Sequence, residues 1–595
     1  MQNNFTMWRE WTLLTQLVHN GVLIPEPPAY CGLEIMVRGE RVKLTPQQEE
    51  MALAWAKKQG TSYVEDPVFC ANFMADFSAA LGITPPLSVG EVDFSSAEAV
   101  VEAERAARER LTPEERKALA AQRKAQREAL RAVYGYAIVD GQRVEVANYI
   151  VEPSGIFMGR GEHPLRGRWK AGAQQRDVTL NLSPDAPIPP GEWAEIVWQP
   201  ESLWLARWVD KLSGKLKYVW PADTAPHKQE REARKFDAAA ALAAAMDQVR
   251  AHIRRALCAE DAKRREIATA CYLIDALCLR VGDEKDEDEA DTVGATTLRP
   301  EHVTLHADGT AEFRFLGKDS VPWHKTITLP EQVQANLAEL MANARPSGGA
   351  RSGDGNGQTA RDKPQLFPRI GSHDVNAFLS EVMPELSAKV FRTHHATEVV
   401  EKALEAAAVS PDDPEYVKWQ AANMANLEAA ILCNHTKKES ATWPSRRARF
   451  QERIGKAEKT LAQRRQELKE ARETLNALRQ EMREMLAAME EGTAKERKAA
   501  AYAKRVARAE AKVQAARRRE SQARDALGKL KAQLIVASKS RSWNLGTSLK
   551  SYIDPRVYYR WGQQVDYDVL GRYYPTTLRR KFGWVENNGD DEVGE

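Results

Sequence analysis

Nowhere in the 595 residues does an apolar run approach the roughly 20 residues that a membrane-spanning helix needs. The opening MQNNFTMWREW also lacks the basic segment and apolar core of a secretory signal. The expectation is therefore a soluble, intracellular protein with no membrane partner. Cysteine is scarce: the six residues (Cys31, Cys70, Cys258, Cys271, Cys278, Cys433) include no CxxC pair and no Cys/His cluster at zinc spacing. That excludes a disulfide scaffold and the common structural zinc sites, and it fits a reducing compartment. Cys271 and Cys278 stand seven apart in a helical pattern, as core residues do. An excess of one charge is missing too. With Lys+Arg 86 against Asp+Glu 84, the formal net charge is +2, so a nucleic-acid partner has to be argued from where charge sits rather than from its sum. The tetrapeptide GKDS lacks the upstream glycine of a nucleotide-binding loop, and DEKDEDEAD reads as a solvated acidic loop rather than a metal site.

The length is enough for about four domains, each with its own core. Residues 1 to about 95 mix short strands and helices. The segment 97–135 reads as two charged helices divided at Thr112-Pro113, with Thr112 as N-cap and Pro113 at the first helical position. YAIVDGQRVEVAN reads as a hairpin turned by Asp140-Gly141, and the tryptophan-rich segments after it as an antiparallel meander. From about 228 the pattern is mainly helical, interrupted by one hairpin (AEFRFLGKDSVPWHKTITL) and by PSGGARSGDGNGQTARDK, whose composition predicts a mobile surface loop.

Residues 450 to about 537 differ in kind. Ile454, Leu461, Leu468, Leu475, Met482 and Met489 recur every seven residues, and the pattern resumes as Val506, Val513, Leu527 and Leu534. This predicts an antiparallel coiled-coil hairpin turning near Gly492. Between 494 and 519, ten Lys/Arg stand against two Glu, which makes either a solvated face or a run beside a phosphate backbone.

Just beyond this arm comes SLKSYIDPR, which places Tyr552 on the cap of a short helix. A tyrosine there is either an aromatic anchor or a nucleophile, and a nucleophile at a phosphodiester needs partners. It needs cations or donors for the non-bridging oxygens and an acid for the leaving alkoxide. Arginine suits the first task because its planar fork spans two oxygens and keeps its charge. The chain offers Arg280 where an apolar helix stops, Lys318 at the turn of a hairpin, Lys389 and Arg392 in SAKVFRTHHAT, and His435 at the end of another apolar helix.

In this order, with LRVGDEKDEDEADTVGATTLR, FLGKDS, AKVFRT, AILCNH, LGTSLKSYIDPR and VEPSGIFMGRGEHP, the chain resembles the eukaryotic-type (type IB) DNA topoisomerases from about residue 6 to 584. The resemblance implies Arg280, Lys318, Arg392 and His435 as the pocket and Tyr552 as the nucleophile. It also implies DNA contacts at Arg160, Lys285, Asp319 and Lys389, duplex DNA as partner, a monomer, and no ATP, metal or other cofactor. In that family the tyrosine forms a 3'-phosphotyrosyl link and leaves a 5'-hydroxyl about which the duplex rotates. The implied fold class is α+β and multidomain: a mixed N-terminal DNA-binding cap lobe (1–227), a mainly α catalytic core lobe (228–448) of the kind shared with tyrosine recombinases, a coiled-coil linker (449–537) and a C-terminal domain carrying Tyr552 (538–595). Read alone, the residue types agree: free tyrosine titrates near pH 10, so Tyr552 needs cationic surroundings as its bond forms. Lys318 carries the titratable proton suited to the departing oxygen.

The chain departs from its relatives in three places. Ser551 stands where they commonly have asparagine, a position that helps hold camptothecin-type poisons. Met158 replaces a basic residue in the Gly-rich motif, and the long lysine-rich N-terminal extension is missing. A DNA-associated protein is expected, nuclear in a eukaryotic host and otherwise of the cytoplasm or nucleoid. A tyrosine recombinase and a non-catalytic DNA clamp are the alternatives.

Overall fold

The computed structural model describes residues 13–283, 291–344, 363–384 and 386–588. Lys285, most of the acidic loop and nearly all of the Gly/Ser-rich segment lie outside the described residues. The fold is mixed α and β, and it divides into two compact units interleaved along the chain. The first holds residues 1–237, 249–272 and 281–382, and the second holds 238–248, 273–280 and 383–595.

In the first unit, β1 (Leu17–His19) is followed by the pair β2 (Glu34–Val37) and β3 (Glu40–Lys43), then α1 (Pro46–Ala56) and α2 (Pro67–Leu81). Thr45 caps α1 through a reciprocal bond with Gln48, and Asp66 caps α2. Both helices have proline at their start, where its missing N–H costs nothing. Trp55, Phe69, Phe73, Phe77 and Phe94 stack into one buried core, against which Met158 packs. Next come β4 (Val92–Asp93), α3 (Ser95–Arg110) and α4 (Pro113–Tyr134), the last capped by a box between Thr112 and Glu115. The two helices meet at Thr112-Pro113 as the sequence predicts, and α4 has no buried residue.

Strands β5 (Tyr136–Val139) and β6 (Gln142–Glu145) form the Asp140-Gly141 hairpin, whose first strand, β5, is central and pairs with β1 on its other edge. A short ribbon, β7 (Gly155–Ile156) and β8 (Trp169–Lys170), frames the Gly-rich motif. The tryptophan-rich region makes a four-stranded sheet from β9 (Val178–Asn181), β10 (Glu195–Val197), β11 (Ala206–Val209) and β12 (Leu216–Val219). It is not a pure meander: β10 runs parallel to β9, because the long connection after β9 brings the chain back in the same direction. Trp204 and Trp208 are buried. After the long α5 (Pro226–Leu257) and α6 (Ala262–Leu277), of which 238–248 and 273–277 belong to the second unit, the first unit ends with β13 (Val303–Leu305), the hairpin of β14 (Thr310–Gly317) and β15 (Val321–Thr328), and helices α7 (Glu331–Ala342) and α8 (Ser372–Ser380). In β14 alternate residues Ala311, Phe313 and Phe315 are buried, the period-two pattern of a strand with one face on the core.

The second unit is built on α9 (Ala388–Ala406) and α10 (Glu415–Leu432), which pack on each other. From it the chain runs into α11 (Trp443–Ala487) and α12 (Thr493–Lys539), an antiparallel pair turned at Gly492, followed by α13 (Leu545–Ser551), α14 (Pro555–Gln564) and three short helices. Leu461, Leu468 and Leu475 face Ala509, Ala516 and Leu527 across the buried seam. Leucine opposite alanine lets the two backbones approach, and the heptad supplies the rest. Rungs of charge flank the seam: Lys531 to Glu458 (2.8 Å), Arg465 to Glu520 (3.5 Å) and Arg479 to Glu510 (2.5 Å). The base of the arm is seated where Gly528 meets Tyr416 of α10. A Cβ at 528 would lie 2.3 Å from the Tyr416 ring, so any larger residue there has to displace that ring. No helix among the described residues is long and apolar enough to cross a membrane.

Candidate active site

Tyr552 is the C-cap of α13, its backbone N–H donating to the Ser548 carbonyl. Asp554 then caps α14, accepting from the Arg556 N–H and from its guanidinium, while Pro555 occupies the first helical position. The motif Tyr-Ile-Asp-Pro-Arg is thus the joint between two helices. It is fastened from outside by Thr397 of α9, whose hydroxyl donates to the Tyr552 carbonyl (3.4 Å) and accepts from the Asp554 N–H (3.1 Å).

Three side chains surround the half-buried tyrosine ring. The Arg392 guanidinium lies 5.0 Å from its centroid, that of Arg280 5.9 Å, and the His435 ring 5.1 Å. Arg392 is 5 % exposed and donates to the backbone carbonyls of Cys278 and Cys433 (2.9 Å for the latter). Cys433 caps α10, and Cys278 directly follows α6. The cation therefore sits against the carbonyl ends of two helices, where the peptide dipoles favour positive charge. This is what permits an arginine to be buried without a carboxylate, and it holds the guanidinium at a fixed height over the ring. Its Nε is buried with no hydrogen-bond partner among the described residues.

The sequence places Arg280 at a helix end, but α6 stops earlier, at Leu277. Cys278 adopts a positive φ of 53°, which breaks the helix and turns exposed Arg280 toward the ring. His435 likewise lies beyond its helix. Asn434 at φ 54° reverses the chain, and the His435 carbonyl accepts from Asn544 N–H at 2.7 Å. With the bridge between Thr436 and Trp543, that contact brings residues more than a hundred positions apart alongside one another. His435 Nδ1 meets Ser548 Oγ at 2.7 Å, while Nε2 is buried without a partner among the described residues. Burial, reinforced by the charges of Arg392 and Arg280, pulls the His435 pKa down to about 3. The imidazole is therefore neutral at physiological pH, and it can donate to an oxyanion without carrying charge of its own.

Arg280, Arg392, His435 and Tyr552 are thus brought together in the second unit. Lys389 is exposed on the first turn of α9. Lys318 belongs to the first unit, exposed at the tip of the β14–β15 hairpin, where Asp319 (φ 64°) and Ser320 (φ 57°) make the turn. Arg160 reaches the same tip and pairs with Asp319. Gly161 (φ 58°) allows that approach, since a Cβ there would stand 2.3 Å from Ser320 Oγ.

The residues 224–468 match the family description "Eukaryotic DNA topoisomerase I, catalytic core", 9–221 match "Eukaryotic DNA topoisomerase I, DNA binding fragment", and 524–592 match "C-terminal topoisomerase domain". The chain is 30% identical over 593 residues to DNA topoisomerase 1 of Homo sapiens, covering 97% of this chain and 71% of the relative. The chain belongs to the eukaryotic DNA topoisomerase I family. As a type IB DNA topoisomerase it is an isomerase, and its partner is duplex DNA. Other relatives include DNA topoisomerase 1 beta of Arabidopsis thaliana (31% over 576 residues, 96% and 58% of the two chains) and DNA topoisomerase 1 of Candidozyma auris (35% over 455 residues, 74% and 58%).

Sequence reasoning passed over Ser548, Thr397 and the Asp554–Arg556 pair in this topoisomerase. Ser548 was within reach, because it stands four residues before Tyr552 and so shares its helix face. It is fully buried, and its bond to Nδ1 fixes the His435 ring. Ser548→Ala is expected to slow cleavage about fivefold, the worth of one buried hydrogen bond at about 1 kcal/mol, with DNA affinity unchanged. Single-turnover cleavage beside a binding isotherm checks this, and equal losses in both would assign Ser548 to folding alone.

Proposed function

We propose that the chain relaxes positive and negative supercoils without ATP or metal, with Tyr552 as the nucleophile. The observation that carries this reading is the enclosure of the Tyr552 ring by two guanidinium groups and a neutral imidazole, with Arg392 held by backbone carbonyls and His435 by the Ser548 hydroxyl. Tyr552 Oη attacks a DNA phosphorus as the bond from phosphorus to the 5'-oxygen breaks, giving a 3'-phosphotyrosyl ester. The phenol proton leaves to solvent, and Lys318 gives its proton to the departing 5'-oxygen. Arg280 and Arg392 hold the non-bridging oxygens with His435 as a further donor. The broken strand rotates, and the 5'-hydroxyl then reverses the step. One phosphodiester is exchanged for another, so the chemistry requires no external energy.

In this reading residues 1–227 form a cap lobe, 228–448 a catalytic core lobe, 449–537 a linker and 538–595 the domain that delivers Tyr552, in a monomeric enzyme. Arg160, Asp319, Lys285 and Lys389 touch DNA. The protein works where DNA is, in the nucleus of a eukaryotic host or the cytoplasm and nucleoid otherwise. Supercoiled plasmid incubated with the protein in EDTA and no ATP tests the whole. Relaxed topoisomers of both signs of substrate are expected. A dependence on a specific DNA site and synapsis would point to a recombinase instead, and binding without any covalent adduct to a clamp.

The arm yields a separate prediction. Within its basic run the structure pairs Lys495, Arg505 and Arg519 with carboxylates, while the other basic side chains of that run have none within reach among the described residues. Arg465 and Glu520 face each other across the hairpin, so residues 466–519 can be replaced by a short flexible loop without disturbing Gly528 on Tyr416. The shortened enzyme is expected to cleave normally, relax more distributively and work best at lower salt, since phosphate contacts carry the salt dependence. An unchanged salt profile would make the basic run a solvated face.

A further inference from the structure

On α9, between Arg392 and the end of the helix, three side chains converge that the proposed reaction does not use. His394 Nε2 lies 4.0 Å and His395 Nδ1 3.8 Å from the same oxygen, Oε2 of Glu398. One donor atom from each of the three residues falls within 4.8 Å of the others. Glu398 follows His394 by four positions and His395 by three, so all lie over one turn of the helix. The two imidazoles are 4.9 Å apart and inclined at 52°, splayed rather than stacked. We propose that His394, His395 and Glu398 form a binding site for a borderline divalent cation of the zinc class, with Asp275 of α6 as the positioning residue for His395.

The second layer of the cluster is the main argument. His395 Nε2 meets Asp275 Oδ1 at 2.7 Å, and both side chains are mostly buried. A carboxylate on one ring nitrogen fixes the tautomer and directs the lone pair of the other nitrogen outward, the arrangement found behind histidine metal ligands. That other nitrogen is Nδ1, the atom facing Glu398. Glu398 is sorted in the same way: Oε1 is held by Lys402 at 2.6 Å, and Oε2 is turned to the histidines. The separations of 3.8 and 4.0 Å are too long for hydrogen bonds. They lie about half an ångström beyond the edge of about 3.3–3.4 Å that tetrahedral ligands make at zinc–nitrogen bond lengths. A small rotation of each side chain would close the gap.

Charge agrees. The carboxylates of Glu398 and Asp275 outweigh the one ammonium of Lys402 on Glu398, which leaves the cluster a net negative charge that favours a cation. Two nitrogens and one oxygen favour zinc, nickel or copper(II) over magnesium and calcium, which take oxygen ligands. A fourth position is left for water. The site lies outside the proposed chemistry, so relaxation in EDTA is unaffected by it. It is nevertheless adjacent to that chemistry, because Thr397, the residue before Glu398, is the one that fastens Tyr552 from behind.

Zinc titrated into the full-length protein against a chromophoric chelator tests the proposal, with cobalt(II) as a spectroscopic probe. The wild type is expected to bind one ion per chain at this site, with visible cobalt bands of a nitrogen–oxygen site and no thiolate charge-transfer band. His394→Ala and the near-isosteric Glu398→Gln should each weaken binding at least tenfold. Asp275→Asn should weaken it about 10- to 100-fold, the usual effect of losing a residue that orients a ligand. Circular dichroism of each variant establishes that it is folded, and Glu398→Gln, at a partly exposed position, keeps the test open if another variant is not. Absence of zinc binding by the wild type would overturn the proposal. So would equal affinity in folded Glu398→Gln, or a thiolate band assigning the ion to exposed Cys31 or Cys258.

Discussion

Tyr552→Phe is expected to bind supercoiled DNA as tightly as the wild type and to relax none of it. Among the described residues no hydrogen bond uses the Tyr552 hydroxyl. What fixes the residue is its backbone, bonded to Ser548 and Thr397, and the packing of its ring against Arg280, Arg392 and His435. A phenyl ring keeps all of that. Only the proposed nucleophilic oxygen is lost, and the loss of a nucleophile is felt at about 10⁴-fold or more in rate. Plasmid relaxation beside a DNA-binding isotherm measures the two quantities, and denaturing gels of nicked product read the covalent adduct. In the wild type the adduct is expected on the 3' end of the nick. A denaturant-stable adduct formed by the phenylalanine variant would remove Tyr552 from the mechanism.

Lys318→Ala is expected to slow cleavage by about 10²- to 10⁴-fold, the range of a general acid. The side chain is exposed at a hairpin tip whose turn is made by Asp319 and Ser320, so alanine disturbs no packing. The diagnostic is a substrate whose 5'-bridging oxygen is replaced by sulfur. A thiolate, with a conjugate acid near pKa 8.5, departs unaided where an alkoxide does not, so this substrate should restore the variant to within about tenfold of the wild type. The same substrate should not restore Arg280 or Arg392 variants, whose proposed role is at the non-bridging oxygens. Failure to rescue Lys318→Ala would move the acid elsewhere.

The parts of the molecule legible in the sequence are those governed by local periodicity. The heptad of Leu461, Leu468 and Leu475 predicts a pair of long helices and Gly492 their turn, because the spacing of apolar residues alone sets which face of a helix is buried. Asp140-Gly141 predicts a hairpin and Thr112-Pro113 a helix start, because each requires a particular backbone geometry. The candidate site was legible as a set of residue types, but its construction was not. That Arg392 is buried against two helix ends depends on where α6 stops, and α6 stops at Cys278 through a left-handed residue that no glycine or asparagine announces. The contact of Ser548 with His435 spans 113 positions and is made by the pairing of 435–437 with 542–544, a tertiary event without a local signal. The parallel pairing of β9 with β10 was missed for the same reason, since alternation of apolar residues reads the same in either direction.

The seat of the arm has a mechanical consequence. Helix α12 is paired with α11, meets α10 at Gly528, and from Gly528 to Lys539 leads in toward the segment bearing Tyr552, with Thr493 to Gly528 forming the outer part of the arm. At about 1.5 Å per residue these are a long limb of roughly 50 Å and a short one of roughly 16 Å, pivoted on the ring of Tyr416. Such a lever divides displacement by about three and multiplies force by the same factor. Under the proposed mechanism, a pull on the tip by rotating DNA would reach the tyrosine's own segment as a smaller, more forceful push, and a bulkier residue at 528 would shift the fulcrum.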